Sequence, residues 1–136
     1  MVSLVVLSVG MIGIAALYAQ GLGAGRSALY RTQAVNLVAD MADRIRANRL
    51  AQGAYAGPAS NNGCDPVGGV DCTPGQMAAH DLFLWDQQIQ LLLPNGRWEL
   101  QFNPATQPPT YSIQVTWDEI GQSAVDHLSI IQVPQT

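Results

Sequence analysis

The chain contains no lysine, and its first 25 residues carry no charged side chain of either sign. All of its positive side-chain charge comes from arginine, and the formal net charge is −4. A protein that wraps nucleic acid needs clustered basic side chains against the phosphates, so this composition argues against a nucleic-acid partner. With 136 residues there is room for one small domain beside the uncharged segment, and not for a second sizeable core.

Motifs for catalysis are also scarce. The sequence has no Walker loop and no GxGxxG motif. His80 and Asp81 are neighbours on a predicted helix and therefore point about 100° apart, which does not favour an acid–base pair. Asp118 and Glu119 form a carboxylate pair in a predicted turn, where solvation is the usual explanation. We therefore expect no enzymatic activity, no cofactor and no metal site.

The chain has only two cysteines, Cys64 and Cys72, in a segment rich in glycine, proline, asparagine and aspartate that predicts an irregular loop over 53–72. A zinc site needs about four ligands, and His80 is the one further candidate nearby. A redox pair more typically has the spacing C-x-x-C. The alternative that fits best is a structural disulfide, which indicates an oxidising compartment.

The most informative feature that is present is an apolar run from Val2 to Ala19. As a helix, 25 uncharged residues cover about 37 Å, enough to cross a bilayer core of about 30 Å. We assign residues 1–25 to the membrane-spanning half of a long N-terminal helix. A cleaved signal peptide is the alternative, although no basic residue precedes Val2. The side chains expected to face lipid or a helix bundle include Val5, Leu7, Met11, Ile14 and Leu17.

The positive charge after this run and the expected disulfide predict opposite topologies. Arg26 and Arg31 follow the run, and the positive-inside rule would hold them in the cytoplasm. The expected disulfide instead places the following segment in an oxidising compartment. A basic leader upstream of Met1 would resolve the conflict, so we expect the native chain to begin earlier.

Residues 26–51 are predicted to form an amphipathic stem helix. Five of the six arginines lie there, and they either contact acidic neighbours or form a solvated face. Each glycine of the run Gly21–Gly25 costs about 1 kcal/mol relative to alanine, so we expect this run to interrupt the helix. Its GxxxG spacing would alternatively allow close approach of a second helix. The predicted apolar stripe is Tyr30, Ala34, Leu37, Met41 and Ile45, and the candidate contact residues are Arg26, Arg31, Arg44, Arg46 and Arg49.

Residues 52–136 are predicted to form an α+β head. The run Thr73–Gln76 is a capping box with proline at the first helical position, and the helix that it begins should end near Leu93. Its predicted buried side chains include Trp85, Ile89 and Leu92. Apolar residues then alternate with polar ones over 98–102 and 111–117, and a third strand is expected over 124–133. Three sequential strands with short links predict an antiparallel meander packed against a helix.

Three segments resemble type IV pilins: LVVLSVGMIGIAALYAQ at 4–20, DMADRIRANR at 40–49 and CTPGQMA at 72–78. The last two are similar to the signature of PilV-type minor pilins. The resemblance implies an α+β pilin fold with a long N-terminal helix, a second shorter helix and a small antiparallel sheet of about three strands. It also implies a single pass through the inner membrane with the head in the periplasm, followed by incorporation into the extracellular pilus.

The function that the resemblance implies is that of a minor pilin in assembly and priming of the type IV pilus. The implied partners are other minor pilins, the major pilin, the inner-membrane assembly machinery and, before assembly, membrane lipid. Loss of such a subunit is expected to impair piliation and twitching motility. Two alternatives stay open, a type II secretion pseudopilin and a membrane-anchored periplasmic binding domain. Family members also carry a processing segment, Gly-Phe-Thr-Leu-Ile-Glu, which we expect upstream of Met1.

Overall fold

A computed structural model describes residues 2–64, 70–119, 121 and 124–133 of the chain. Two α-helices, a 3-10 helix and three strands follow one another, which confirms the α+β class. The chain divides into two compact units, residues 1–32 and 33–136, and each is described by itself. The elements are α1 Val2–Ala47, the 3-10 helix Arg49–Ala56, α2 Pro74–Leu92, β1 Arg97–Asn103, β2 Thr110–Trp117 and β3 Val125–Gln132.

The first unit is helical throughout its described part, and the helix continues across Gly21–Gly25. The expected interruption is therefore wrong. Glycine weakens a helix by about 1 kcal/mol, but breaking the helix would leave backbone N–H and C=O groups without partners in an apolar segment, which costs more. A Cβ added at Gly21 or Gly25 would meet no atom within 4 Å, so these glycines do not serve close packing inside the chain.

In the second unit, the end of α1 buries four of the five residues of the predicted stripe. Ala34, Leu37, Met41 and Ile45 are all at most 5% exposed, which confirms the helical periodicity there. Tyr30, the first residue of the predicted stripe, lies in the first unit and is only half-buried. The helix ends at Ala47, and the 3-10 helix takes up part of the segment predicted to be irregular. Tyr55 is fully buried and anchors this short helix in the core. Of the predicted loop 53–72, residues 65–69 lie outside the described residues.

Helix α2 begins at the predicted capping box. The Thr73 Oγ1 accepts a hydrogen bond from the Gln76 backbone N–H at 3.3 Å, and the Gln76 Oε1 accepts one from the Thr73 N–H at 3.0 Å. Trp85 and Ile89 are fully buried, as predicted. Leu92 is 38% exposed instead of buried, whereas Leu93 is 2% exposed. The reason is that Leu93 already has an extended backbone, so the chain turns into the core one residue later than helical spacing predicts.

The sheet is an antiparallel meander in the order β1-β2-β3. Its central strand β2 alternates strictly, and its inward side chains form one wall of the core. Register places Leu100 of β1 and Ser129 of β3 on either side of Ile113. The buried side chains of β2 are Tyr111, Ile113, Val115 and Trp117.

Candidate functional site

The first candidate surface is the apolar side-chain layer of the first unit. The five residues predicted to face lipid or a bundle are between 61% and 70% exposed. One 18-residue window of this helix has a mean hydropathy of 1.9, and none of it is buried inside the chain. By length and composition the helix can cross a membrane. Because the helix of a soluble core would be mostly buried, this layer is instead available to lipid or to other helices.

The second candidate surface is the set of arginines on α1 and just after it. Arg44 donates from Nε to the Asp40 Oδ2 and from one terminal nitrogen to the Asp81 Oδ1, each at 2.9 Å. These bonds hold Arg44 against its own chain, with its side chain 26% exposed. Arg46 pairs with Asp43 at 2.9 Å in an exposed position. The remaining three, Arg26, Arg31 and Arg49, are exposed.

Arg44 belongs to a polar cluster that we call the stem clamp, formed by Arg44, Asn48, Tyr55 and Asp81. The Tyr55 hydroxyl donates to the Asp81 Oδ2 at 2.7 Å, so one carboxylate binds both the tyrosine and the arginine. The Asn48 side-chain amide donates to the Pro74 carbonyl oxygen at 2.9 Å. The clamp therefore fastens the end of α1, the 3-10 helix and the start of α2 to one another.

Electrostatics in the stem clamp favour a fixed, protonated tyrosine and a fixed, charged arginine. Burial, together with the hydrogen bond to Asp81, raises the pKa of Tyr55 above its ordinary value. For Arg44, burial acts to lower the pKa, but the hydrogen bond to Asp81 and the charge of Asp40 raise it by more. The polar groups of the clamp form hydrogen bonds with one another. This arrangement is more typical of a structural contact between elements than of a substrate-binding site.

The structure also separates the residues that we considered for acid–base chemistry. His80 is 7% exposed and stacks on Phe83, with ring centroids 6.3 Å apart, whereas Asp81 faces the clamp. Glu119 is 9% exposed and accepts a hydrogen bond from the Trp117 Nε1 at 3.1 Å. The expectation that Glu119 is solvated is therefore wrong, because the buried indole needs an acceptor. Throughout the described ranges, no three His, Cys, Asp or Glu residues are grouped to hold a metal ion.

Cys64 and Cys72 form a disulfide, with their Cα atoms 5.8 Å apart. The segment just before it is fixed along α2, because the Ser60 N–H donates to the Ala79 carbonyl oxygen and the Asn62 amide donates to the Gln76 carbonyl oxygen, both at 2.9 Å. The bridge therefore closes a loop beside the N-terminus of α2.

Comparison with protein families gives one match that covers these features. The family model described as Type IV pilin Tt1218 (Tt1218-like) matches residues 16–83, half of the chain. The chain belongs to this family of type IV pilins. The matched range contains the whole stem clamp and both cysteines. Searches of curated proteins and of solved structures give no match.

Membership in the type IV pilin family settles the general class. Type IV pilins are a family of structural, non-enzymatic proteins, and membership in it suggests interaction with other components of a pilus. The exposed apolar helix fits a membrane-anchored pilus component.

The sequence analysis did not identify Tyr55 as the centre of the stem clamp. The signal for it was a single large aromatic residue in a segment of small ones, four residues after Ala51, which is also buried.

Proposed function

We propose that this pilin is a PilV-type minor pilin that takes part in assembly and priming of the type IV pilus. Residues 1–25 hold it in the inner membrane in a single pass, residues 26–51 form the stem, and residues 52–136 form the head in the periplasm. The observation that carries the proposal is the exposed apolar layer of α1 in a chain whose stem and clamp match the pilin family.

The same apolar layer would serve the pilin before and after assembly. In lipid, its side chains are already out of water, so entry into a helix bundle gains little from the hydrophobic effect. Close packing and hydrogen bonds between helices must therefore stabilise the assembled state. The free energy of transferring the helix from the membrane to the pilus is therefore expected to be small. Small contributions to binding from the head and the stem would then decide with which subunit the pilin associates.

The partners that we propose are other minor pilins, the major pilin and the inner-membrane assembly machinery. Charge would contribute to the choice and register of neighbours more than to affinity. Among the five arginines of the stem, Arg26, Arg31, Arg46 and Arg49 have exposed side chains, and acidic neighbours are their expected contacts. Arg44 is less suited to this role because Asp40 and Asp81 both bind it in a partly buried position, whereas the Arg46–Asp43 pair is exposed.

A direct test compares sheared surface filaments with membranes of the producing cells. A filament subunit is expected in the sheared fraction, and deletion of its gene is expected to abolish piliation or twitching. Complementation should succeed with the native chain and with Leu91→Arg, because Leu91 is an 84% exposed side chain of α2. It should fail with Leu7→Arg, which places a charge in the apolar layer.

Two outcomes would contradict this function and favour an alternative. Retention in the membrane fraction with normal piliation of the deletion strain would favour an anchored periplasmic binding domain. Loss of protein secretion with normal pili would favour a type II secretion pseudopilin.

A further inference from the structure

Strand β3 forms an open edge of the sheet. The other edge strand, β1, contacts the 3-10 helix, and Phe102 lies so close to Gly53 that an added Cβ there would be 2.9 Å from the Phe102 Cδ1. In the strand order β1-β2-β3, β3 pairs with β2 on one side and has no strand beside it on the other among the described residues. An open edge exposes backbone N–H and C=O groups to which a further strand can pair.

The pattern of backbone hydrogen bonds shows which residues of β3 direct their N–H and C=O groups toward the open edge. The Val133 N–H donates to the Pro109 carbonyl oxygen at 3.0 Å, so odd-numbered residues of this strand bond to β2. Because bonded positions alternate in an antiparallel pair, even-numbered residues direct their N–H and C=O groups away from β2. Leu128 and Ile130 are two of these residues, and their backbone groups are available at the open edge.

The same two residues carry apolar side chains on the outer face of the sheet. Leu128 is 51% exposed and Ile130 is 67% exposed. Their register partners on β2 are Gln114 and Ser112, both polar, so the outer face is apolar only at this edge. The inner face of β3 includes His127 and Ser129, opposite Val115 and Ile113. The usual apolar-in, polar-out alternation is thus inverted over the middle of β3.

Strand β3 has few of the devices that protect edge strands. Its eight residues include no lysine, arginine or proline, and its register with β2 runs from Gln132 to Val125 without a bulge. Its one acidic residue, Asp126, lies near the start of the strand and accepts a hydrogen bond from the Gln114 side chain of β2, so it leaves the middle of the edge uncharged. Natural edge strands commonly use such features to prevent pairing with another chain. Strand β3 therefore has both the backbone and the side chains for pairing.

The size of the apolar patch identifies the kind of partner. The patch consists of two exposed side chains, Leu128 and Ile130, whereas a stable interface between free proteins buries about 800 Å² on each partner, contributed by about 20–30 residues. The patch is too small to hold a freely diffusing protein. The patch is large enough for a partner that is already held next to the head by another interface. In that case the partner is present at a high effective concentration, and a weak contact is enough.

We infer that the open edge of β3, with Leu128 and Ile130, docks on the head of a neighbouring pilin subunit in the filament by pairing with one of its strands. This inference rests on the proposed function, in which packing of the N-terminal helices supplies the tether. The partner strand is expected to carry small or β-branched apolar residues that cover Leu128 and Ile130.

Photo-crosslinking in intact cells tests the inference on the full chain. A benzophenone amino acid replaces Ile130 in one strain and Gln101 in a control strain, since Gln101 is on the same outer face but on β1. We expect adducts with a pilin subunit in sheared filaments from position 130, at least about tenfold more than from position 101. Mass spectrometry of the adduct identifies the partner and the contacted strand.

A charge substitution gives a second measurement. Leu128→Lys combined with Ile130→Lys is expected to lower the amount in sheared filaments about tenfold at unchanged membrane abundance, because lysine protects edges from pairing. Gln101→Lys is the matched control and is expected to change neither amount. If the chain is present in filaments but position 130 gives no pilin adduct, the inference is wrong and the proposed function stands. If the chain is absent from filaments, both are wrong.

Discussion

The indole nitrogen of Trp85 donates a hydrogen bond of 2.9 Å to the backbone carbonyl oxygen of Leu37, 48 residues earlier in the chain. Both residues belong to the core, with Trp85 fully buried and Leu37 5% exposed. A side chain of α2 thus binds the backbone of α1 where no water can replace it. Trp98 packs on the same indole, with ring centroids 5.6 Å apart.

We predict that Trp85→Phe lowers the free energy of unfolding by about 2–4 kcal/mol, because it leaves a buried carbonyl without this donor and opens a cavity. Urea unfolding of the full chain in detergent micelles, followed by circular dichroism, measures the change. Leu91→Ala removes an exposed side chain and should cost less than about 0.5 kcal/mol. A loss below that level for Trp85→Phe would mean that the hydrogen bond contributes nothing.

Asp81 and Asp43 provide a matched pair of carboxylates, each bound to an arginine at 2.9 Å. The Asp81 side chain is 14% exposed and the Asp43 side chain is 78% exposed. Asp81→Asn is expected to cost about 2–3 kcal/mol, since it removes a partly buried charge partner from the stem clamp. Asp43→Asn is expected to cost less than about 0.5 kcal/mol. Equal effects in urea unfolding at 0.15 M salt would contradict the special role of the clamp.

Tyr111 should make stability fall at high pH. Burial raises the pKa of Tyr111 to about 12, above the ordinary value of 10.0. Because the raised pKa means that the folded state holds the proton more tightly, its stabilising contribution is present below pH 10 and is lost as the pH rises towards 12. The loss is of order 2 kcal/mol at most. Tyr111→Phe should flatten the dependence of unfolding free energy on pH between 10 and 12, and an unchanged slope would contradict this.

Removal of the Cys64–Cys72 disulfide is expected to lower stability by about 2.5 kcal/mol, the chain-entropy value for a loop of this length. The double variant Cys64→Ser, Cys72→Ser should unfold at a lower urea concentration than the oxidised native chain. The native chain after reduction should resemble the variant. If only reduction destabilised the chain, the effect would come from the reductant and not from the lost bond.

Two glycines, one in the first turn of α2 and one just after its end, should respond oppositely to substitution by alanine. A Cβ at Gly96 would lie 2.6 Å from the Ile89 Cγ2 and 2.9 Å from the Ile89 carbonyl oxygen. Gly96→Ala is therefore expected to destabilise by about 1–3 kcal/mol through overpacking. A Cβ at Gly75, in the first turn of α2, would be 4.0 Å from the Ala54 Cβ, and Gly75→Ala should stabilise by about 0.5 kcal/mol. Thermal unfolding of both variants measures the two signs.

The fold was largely predictable because its elements depend on local patterns. The capping box at Thr73, the stripe through Leu37 and Ile45, and the alternation around Ile113 involve residues at most a few positions apart. The glycine run misled the prediction for the opposite reason. The helix penalty of glycine is a local property, whereas the larger cost of unpaired backbone groups depends on the apolar surroundings of the whole segment.

The candidate sites were only partly predictable. The apolar layer of α1 is a property of composition, and the arginines of the stem were visible as a charge pattern. Nothing in the spacing indicated that Arg44 binds Asp81, 37 residues away, or that Glu119 supports Trp117 inside the head. The outward orientation of Leu128 and Ile130 depends on the register with β2, and a shift of one residue would reverse it.

The amino-acid sequence by itself determined that this pilin has an uncharged helix for lipid or a bundle, a capped second helix and a three-stranded sheet, because hydrophobicity, capping and alternation act over a few residues. Only the tertiary structure decided that Asp81 joins Arg44 to Tyr55 and that β3 is left as the open edge. Those relationships join residues that are far apart in the chain. Local sequence patterns do not determine which distant residues meet, and the packing of the whole core does.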